Sequence, residues 1–434
     1  MKKIDICTYS VDTTGKILAT KEIQQAIDDA AKEHIAVFFP KGIYLVGSLF
    51  LRNHSELIFE EGATLLGSTD SDDFPEIFSR VAGVEMSWPA AIINAIDVAD
   101  IKISGKGIMD GQGPYWWNLY WGEDQVSGQR AQYDAAGLRF IADYAIKRPR
   151  SILFQGVQRS TIQEITLQRA GFWNLQLTYC EDILVKELTI RENHGPSTDG
   201  IDIDSSKQVH VTGCHLSCGD DCIAIKSGRD GDGLRVARAS EKIEIDHCHI
   251  YSGYGITIGS EVSGNIVDVY IHDITFTNSD CGIRMKSAKE RGGIIKDIRV
   301  ENITMYDVQF PFSWIMDWHT AYNRKGLVTT ELEKFPFYQA VALDIPEAQQ
   351  MTKVQNVFVK NVTATLSDDY AKVSRAFDLV AFEEKPMERI LFENCHVIAQ
   401  EFGRIEAVKE LQLAEVVLTI AEKNGIENNQ FDTR

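Results

Sequence analysis

The sequence predicts an all-β, single-domain right-handed parallel β-helix, a solenoid with an N-terminal capping helix. Three observations predict it: a recurring hydrophobic frame, a second strand aligned to that frame in each repeat, and one segment of helical apolar spacing near the start. The frame reads apolar-x-apolar-x-x-apolar-x-apolar. Seven copies are clean, beginning at Ile183 (Ile183, Val185, Leu188, Ile190), Val209, Ile243, Val269, Ile298, Val357 and Ile390, with weaker copies around Ile101 and Ile162. Each half alternates with period two, as strands do, and the two residues between the halves shift the alternation at a bend. From Ile183 to Ile298 successive copies start 26, 34, 26 and 29 residues apart, one solenoid turn with loops. The gap of 59 residues to Val357 requires a long excursion or an unrecognised turn.

The elements follow in order. Ala19 to Lys32 has helical apolar spacing and suits a cap over the open N-terminal end, where edge strands would otherwise pair with another chain. Val37-Phe-Phe-Pro-Lys-Gly-Ile-Tyr-Leu reads as the first coil. Val408 to Asn424 reads equally as strand or helix. The expected layout is one domain over 1–434, with a cap over about 1–36, coils over about 37–400 and a C-terminal cap over about 401–434.

The second strand of each turn is Gly200-Ile-Asp-Ile-Asp-Ser, Cys222-Ile-Ala-Ile-Lys-Ser, Gly255-Ile-Thr-Ile-Gly-Ser and Gly282-Ile-Arg-Met-Lys-Ser. If Ile201, Ile223, Ile256 and Ile283 stack inside the coil, alternation sends Asp202, Asp204, Lys226, Arg284 and Lys286 outward on one face. In the same register Asp199, Asp221 and Tyr254 each stand two places before their isoleucine and form a column, with Asp220 one place further back. Asp199 and Asp221 are then about one rung, roughly 4.8 Å, apart. Like charges this close raise one another's pKa, so one acid stays protonated while another is ionised.

An aspartate beside glycine is, read alone, a turn residue. Three converging by register beside an Arg-x-Lys pair point to acid–base chemistry. Arg284 offers a bidentate fork and Lys286 a point charge to an anionic ligand. Lys226 and Asp204 fit a site or a solvated surface equally, and Trp173, one rung earlier, fits a sugar platform or core packing. His194, before Gly195-Pro196, reads as a turn residue, and Cys218-x-x-x-Cys222 is too weak a pattern for a metal; no metal or cofactor is expected.

At these residues the chain resembles glycoside hydrolase family 28, the polygalacturonases and their relatives. The likeness runs from Phe38-Phe-Pro-Lys-Gly-Ile-Tyr through Gly105-Lys-Gly-Ile-Met-Asp-Gly-Gln-Gly to Arg284-Met-Lys. The family's Asn-Thr-Asp, Gly-Asp-Asp and Arg-Ile-Lys segments look like Ser197-Thr198-Asp199, Gly219-Asp220-Asp221 and Arg284-Met285-Lys286. The resemblance implies inverting hydrolysis, with Asp220 protonating the leaving oxygen, Asp199 and Asp221 activating water, and Arg284 and Lys286 binding a substrate carboxylate. Carboxylates about 5 Å apart by themselves go with retention; the resemblance implies inversion. The family's Gly-His-Gly is Gly253-Tyr254-Gly255 here. Tyrosine is neutral at pH 7, so a leaving-group side different from plain polygalacturonate, such as rhamnose, is expected. Aromatic-rich stretches Pro114 to Tyr144 and Pro311 to Tyr338 suit walls that close the groove and favour exo-action on pectin-derived oligosaccharides, or covers for hydrophobic coil faces. Two other readings compete: β-elimination of the pectate-lyase kind, and a non-catalytic glycan-binding solenoid.

Composition is compatible. The 434 residues, 44% hydrophobic and 25% charged, suit a soluble protein with a large core. Met-Lys-Lys-Ile-Asp-Ile-Cys lacks the unbroken apolar stretch of a secretory signal, and no segment approaches the roughly 18 apolar residues of a membrane span. A cytoplasmic location with no membrane partner is expected. Cys214, Cys248 and Cys395 occupy apolar frame positions as small hydrophobes, and no disulfides are expected. A net charge of −19 repels nucleic acid. It also repels a polyanionic sugar, so a uronate site is expected to be locally basic. Arg229, Arg235, Arg238, Lys289 and Arg291 lie in loops flanking the site strands.

Overall fold

Single residues in the left-handed backbone region turn the corners of the coil. In the frame, the second of the two intervening residues has positive φ in copy after copy: Glu187 (53°), Gly213 (65°), His247 (51°), Asp273 (54°), Asn302 (57°), Asn361 (55°) and Asn394 (50°). The residue just before each copy does the same, from Asp182 (60°) and Gln208 (53°) to Asn356 (56°) and Arg389 (56°). One left-handed residue reverses which side the alternation faces, and Asn and Asp tolerate it best. The corner amides also stack. Asn302 Nδ2 donates to Asp273 Oδ1 (3.1 Å), Asn361 Nδ2 to Asn302 Oδ1 (3.0 Å) and Asn394 Nδ2 to Asn361 Oδ1 (2.7 Å).

A computed structural model of the chain describes residues 2–323, 345–420 and 430–432. Among them, an eleven-stranded parallel sheet adds one strand per turn from Leu49–Phe50 to Glu401–Glu406 in strict chain order. Its register is the expected one: Ile201 pairs with Ile223, Ile223 with Ile256 and Ile256 with Ile283, all fully buried. The frame strands pair likewise, Ile183 with Val209, then Ile243, Val269, Ile298, Val357 and Ile390. Ile298 pairs directly with Val357, so the long gap is an excursion within one turn. The chain is a right-handed parallel β-helix. From Ile266–Thr277 onward, both halves of each frame run as one continuous strand past the corner.

Two boundaries differ from expectation. Coiling starts before residue 37, because Lys3–Asp5 pairs with Ala36–Phe39 and Thr14–Leu18 with Gly42–Val46. It also continues beyond residue 400: Glu401–Glu406 is the last strand of the eleven-stranded sheet, and Val408–Ile420 is strand throughout. The alternation of Leu411 and Leu413, then of Val416 and Leu418, buries the same side as the preceding coil. Residues 421–424 lie outside the described residues. Cys214, Cys248 and Cys395 are buried in the coil, as apolar positions should be. Among the described residues, no helix is long and apolar enough to cross a membrane.

The helix Thr20–Glu33 closes the N-terminal end, burying Ile23, Ala26, Ile27 and Ala30 against the core. Its Gln24 does more than pack. The side-chain amide accepts from Phe50 N (2.7 Å) and donates to Phe50 O (2.9 Å), pairing with the first strand of the eleven-stranded sheet where a neighbouring strand would bind.

Two insertions stand over the sheet. One is the antiparallel hairpin Glu76–Val81 and Val84–Pro89; the other holds the helices Gly113–Trp121, Gln129–Ala135 and Arg139–Ala145. They share a second core in which Val81, Val84, Trp88, Phe140, Ile141 and Tyr144 pack on Phe172 and Trp173. Pro114 to Tyr144 thus stands over the sheet and also covers the coil, through Trp116 and Trp117. In the other aromatic stretch, Phe310–Ile315 is a coil strand and, among the described residues, Trp318, His319 and Tyr322 reach over the sheet; 324–338 lie outside the described residues.

Replacing Gln24 by Ala leaves Phe50 N and O without these partners. The expected loss is about 1–2 kcal/mol, with self-association through the bared edge. Thermal unfolding and light scattering check both effects; an unchanged midpoint and a monodisperse monomer would show that the amide is incidental.

Candidate active site

The stacked register brings Asp199, Asp220 and Asp221 together, with one carboxylate oxygen of each within 4.8 Å of the others. Asp199 and Asp221 precede the adjacent strands Ile201–Asp204 and Ile223–Lys226. The Asp199 backbone is fixed by Asn174, whose Nδ2 donates to Asp199 O (2.9 Å). Asp220 Oδ1 accepts from Asp221 N (2.9 Å), which orients its carboxyl without neutralising it.

The three acids have different surroundings. Asp221 is fully buried and takes Lys286 Nζ (2.7 Å), Arg284 Nη1 (3.2 Å) and Thr257 Oγ1 (2.8 Å). Burial pushes its pKa up, but Lys286, Arg284 and Lys226 outweigh it and hold the carboxylate below the usual range. Asp220 is raised by burial and then by the Asp221 charge, against the pull of Lys286 and Arg284. Asp199 is raised well above the ordinary value by burial, Asp202 and Asp220, against Lys226. The cluster therefore holds an ionised Asp221 beside two carboxyls that retain protons to higher pH.

Lys226 is part of this arrangement and not a surface residue. It is buried, with Nζ 3.2 Å from Glu261 Oε2, 3.6 Å from Asp202 Oδ1 and 3.9 Å from Asp199 Oδ2, and 5.2 Å from the Trp173 ring. Burial works against its charge, yet Glu261, Asp202 and Asp199 raise its pKa well above normal, so it stays a cation. Asp204 is buried too, paired with Arg80 of the hairpin (3.3 Å). Asp202 is fully buried, and neither of its carboxylate oxygens accepts a hydrogen bond among the described residues. Burial, against the pull of Lys226, raises its pKa well above the carboxylate range.

Above the acids lies a pocket whose walls come from every insertion. Ala82 of the hairpin, Arg139 and Asp143 of the helix Arg139–Ala145, and Trp318, His319 and Tyr322 line it, along with Phe172, Trp173, Ser197, Ser260, Glu261, Lys226 and Lys286. Trp318 lies 4.5 Å from Lys286 Nζ and 5.2 Å from the Arg284 guanidinium, and Arg284 also stacks on Tyr254 at 4.7 Å. Tyr254 and Arg284 are outside the pocket lining, on its flank. Trp173 is 3% exposed and stacked on Phe172, so it offers the pocket an edge of a packed pair more than a free platform.

The expected local excess of positive charge is not there. Arg139, Lys226 and Lys286 face Asp143, Asp199, Asp220, Asp221 and Glu261 across the pocket. Each cation is shared with a carboxylate, Arg139 with Asp143 at 2.8 Å. The flanking arginines are structural. Arg229 donates to Tyr144 Oη (2.9 Å) and Tyr322 O (3.1 Å), and Arg291 to Asp230 Oδ1 (2.7 Å) and Asn323 Oδ1 (2.6 Å), anchoring the walls. Arg235 pairs with Asp232 and Glu85, Arg238 stacks on Tyr179, and Lys289 is exposed.

Sequence reasoning missed Thr257, Glu261, Arg139, Asp143 and Trp318. Thr257 was within reach, since it pairs in register between Ala224 and Arg284 on the same outward face. The others sit on segments without strand periodicity.

Comparison with known proteins agrees with this geometry. Residues 55–331 match the model of glycosyl hydrolases family 28. The chain is 32% identical over 311 residues to a probable polygalacturonase of Vitis vinifera, covering 69% of this chain and 60% of that one. It is 27% identical over 335 residues to an exo-poly-α-D-galacturonosidase of Dickeya chrysanthemi, covering 70% and 55%. The match thus spans little more than half the length of these relatives. Among solved structures, a hyperthermoactive exopolygalacturonase from Thermotoga maritima superposes with a TM-score of 0.76 at 20% identity, over 99% of this chain and 94% of that one. A family 28 exopolygalacturonase from Yersinia enterocolitica gives 0.75 at 20% identity, over 98% and 79%. At such identity the superpositions establish the shared β-helix, while the family match covers the strands that carry all three aspartates: the chain belongs to glycosyl hydrolase family 28.

Proposed function

We propose that this glycoside hydrolase removes galacturonate from the end of α-linked, pectin-derived oligosaccharides by inverting hydrolysis. The observation that carries the proposal is the divided carboxylate cluster under a pocket walled by the hairpin, the helical insertion and residues 316–323. Asp220, whose pKa is raised and whose backbone contact fixes its carboxyl, protonates the leaving oxygen. Asp221, kept ionised by Lys286 and Arg284, takes the proton of the attacking water, and Asp199, whose carboxyl keeps its proton to higher pH, orients that water by hydrogen bonding. The names of the Vitis, Dickeya, Thermotoga and Yersinia relatives support galacturonan as the substrate class, and those of the last three support exo-action.

Lys286 has three N–H donors and Arg284 five, of which Asp221 takes one each, so both retain donors for a uronate carboxylate. Because the pocket holds no surplus of positive charge, a bound uronate favours keeping Asp199 and Asp220 protonated, the state the acid role of Asp220 needs. Tyr254, in place of the family histidine, bears the Arg284 guanidinium on its ring at the flank of the pocket. It supports a leaving-group side that accepts a neutral sugar such as rhamnose in addition to galacturonate.

Exo-action is tested with a galacturonate oligosaccharide labelled at its reducing end. Free galacturonate and a labelled chain shortened by one residue are expected from the first turnovers; an early spread of labelled lengths identifies internal cleavage. Asp220→Asn is expected to lower kcat by about 10²–10⁴-fold with little change in KM, read by release of reducing sugar. Only a few-fold change would remove Asp220 from the acid role.

The pH profile tests the ion pairs. In Lys286→Met both Asp221 and Asp220 lose a neighbouring cation, so both pKa values rise. The acidic limb of kcat/KM, where Asp221 must be ionised, and the alkaline limb, where Asp220 must be protonated, are expected to move to higher pH together. Limbs that stay in place contradict the assignment. For Tyr254→His, the ratio of kcat/KM on galacturonate-galacturonate over galacturonate-rhamnose bonds is expected to rise, and an unchanged ratio would exclude Tyr254 from leaving-group selection.

A further inference from the structure

On the frame sheet, in a cluster separate from the three aspartates, four side chains from three successive turns converge: His210 from Lys207–Thr212, Glu244 and Asp246 from Ser240–Asp246, and His272 from Ile266–Thr277. Parallel pairing sets them side by side, His210 opposite Glu244 and Asp246 opposite His272. His210 Nε2 lies 2.6 Å from Asp246 Oδ2, and His272 Nε2 lies 3.8 Å from the same oxygen and 3.2 Å from Glu244 Oε1. One ligand atom each from His210, Glu244 and Asp246 falls within 4.8 Å of the others. We propose that this cluster is a binding site for a divalent first-row transition cation of the Zn2+ type, held by two imidazole nitrogens and two carboxylates.

The surroundings aim these atoms inward. His272 Nδ1 meets Asp273 Oδ2 at 2.7 Å, and its ring stacks on Tyr270 at 4.1 Å. The Nε2 of the same ring faces two carboxylates, where a metal ion supplies the positive charge that a second imidazole proton supplies in its absence. A carboxylate on the far nitrogen of a histidine is the usual outer partner of a metal ligand. Asp246 is oriented in the same way. His247 Nδ1 (2.8 Å) and the Thr212 hydroxyl hold its Oδ1, leaving Oδ2 directed at His210 and His272. Ligand atoms of a tetrahedral ion with bonds of about 2.0–2.1 Å are roughly 3.4 Å apart. The 3.2 and 3.8 Å separations bracket that value, and the ion takes the place of the His210–Asp246 hydrogen bond. Side-chain exposures of 40% for His210 and 48% for Glu244 leave room for ion entry, while Asp246 at 7% and His272 at 14% are the anchored half. Bound there, the ion ties three turns of the solenoid together across the frame strands. Its mixed nitrogen and oxygen donor set suits Zn2+ and its neighbours better than Ca2+ or Mg2+, which take oxygen ligands.

The full chain, stripped by chelator and dialysed, is titrated with Co2+ alone and with Zn2+ alone. One equivalent is expected to bind, with Co2+ developing the strong visible absorption of a site with fewer than six ligands and Zn2+ displacing it. His210→Ala and His272→Ala are each expected to weaken binding more than about 100-fold, and Asp273→Asn about 10–100-fold. Asp220→Asn and Cys7→Ser leave it unchanged. Zn2+ raises the thermal midpoint of the wild type and not of His272→Ala, whose retained hydrolytic activity shows that it is folded. Absence of binding, binding undiminished in both histidine variants, or binding lost in Asp220→Asn would overturn the proposal.

Discussion

One register of parallel main-chain pairing governs the molecule. Each turn lies beside the last with Ile201, Ile223, Ile256 and Ile283 in a stack, and each buried isoleucine of such a stack contributes about 1.5–3 kcal/mol. A slip of one residue would send that stack to the outside and the acids to the inside. The hydrophobic ladder therefore fixes where Asp199 and Asp221 project, and left-handed corner residues such as Asn302 and Asn361 keep the turns equivalent. The geometry of the candidate site is a consequence of core packing.

The same constraint brings like charges within reach of one another, and electrostatics then distinguishes them. Asp221 faces Lys286 and Arg284 two rungs away, while Asp199 and Asp220 have weaker compensation. Residues that are chemically identical thus come to hold their protons to different pH, the difference that the proposed acid and base roles need. Burial sharpens the difference, since charges shielded from water interact more strongly. Removing one partner from such a buried set leaves the other uncompensated, at a cost of about 3–5 kcal/mol, so these ion pairs serve structure and chemistry together.

Much of this was readable in the sequence because period two is an unambiguous signal. It located the coil, the meeting of Asp199 with Asp221, and the outward position of Arg284 and Lys286, whereas Tyr254, expected in the same column, stands on the flank of the pocket. The same periodicity could not say what covers the outward face. Lys226 and Asp204 looked equally like solvated residues, and only the hairpin bearing Arg80 and the loop bearing Glu261 make them interior. Those segments, like Trp318 and the Arg139–Asp143 pair, have no repeat; the hairpin and the helix Arg139–Ala145 are placed by tertiary packing around Trp88, Phe140 and Phe172. The expected basic pocket failed for a related reason: net charge and loop arginines do not reveal which cations are already paired, as Arg229 and Arg291 are. At the C-terminal end, the irregular spacing of Val408 to Ile420 hid a last coil.

The division of labour among the three aspartates is tested most directly by the configuration of the first product. Their oxygens lie closer together than the 6.5–9.5 Å usual for inverting pairs, so stereochemistry is the sharper discriminator. Proton NMR of an α-linked galacturonate oligosaccharide during the first turnovers, before mutarotation, is expected to show the β anomer of free galacturonate. An initial α anomer would contradict single displacement and make Asp199 or Asp221 a nucleophile.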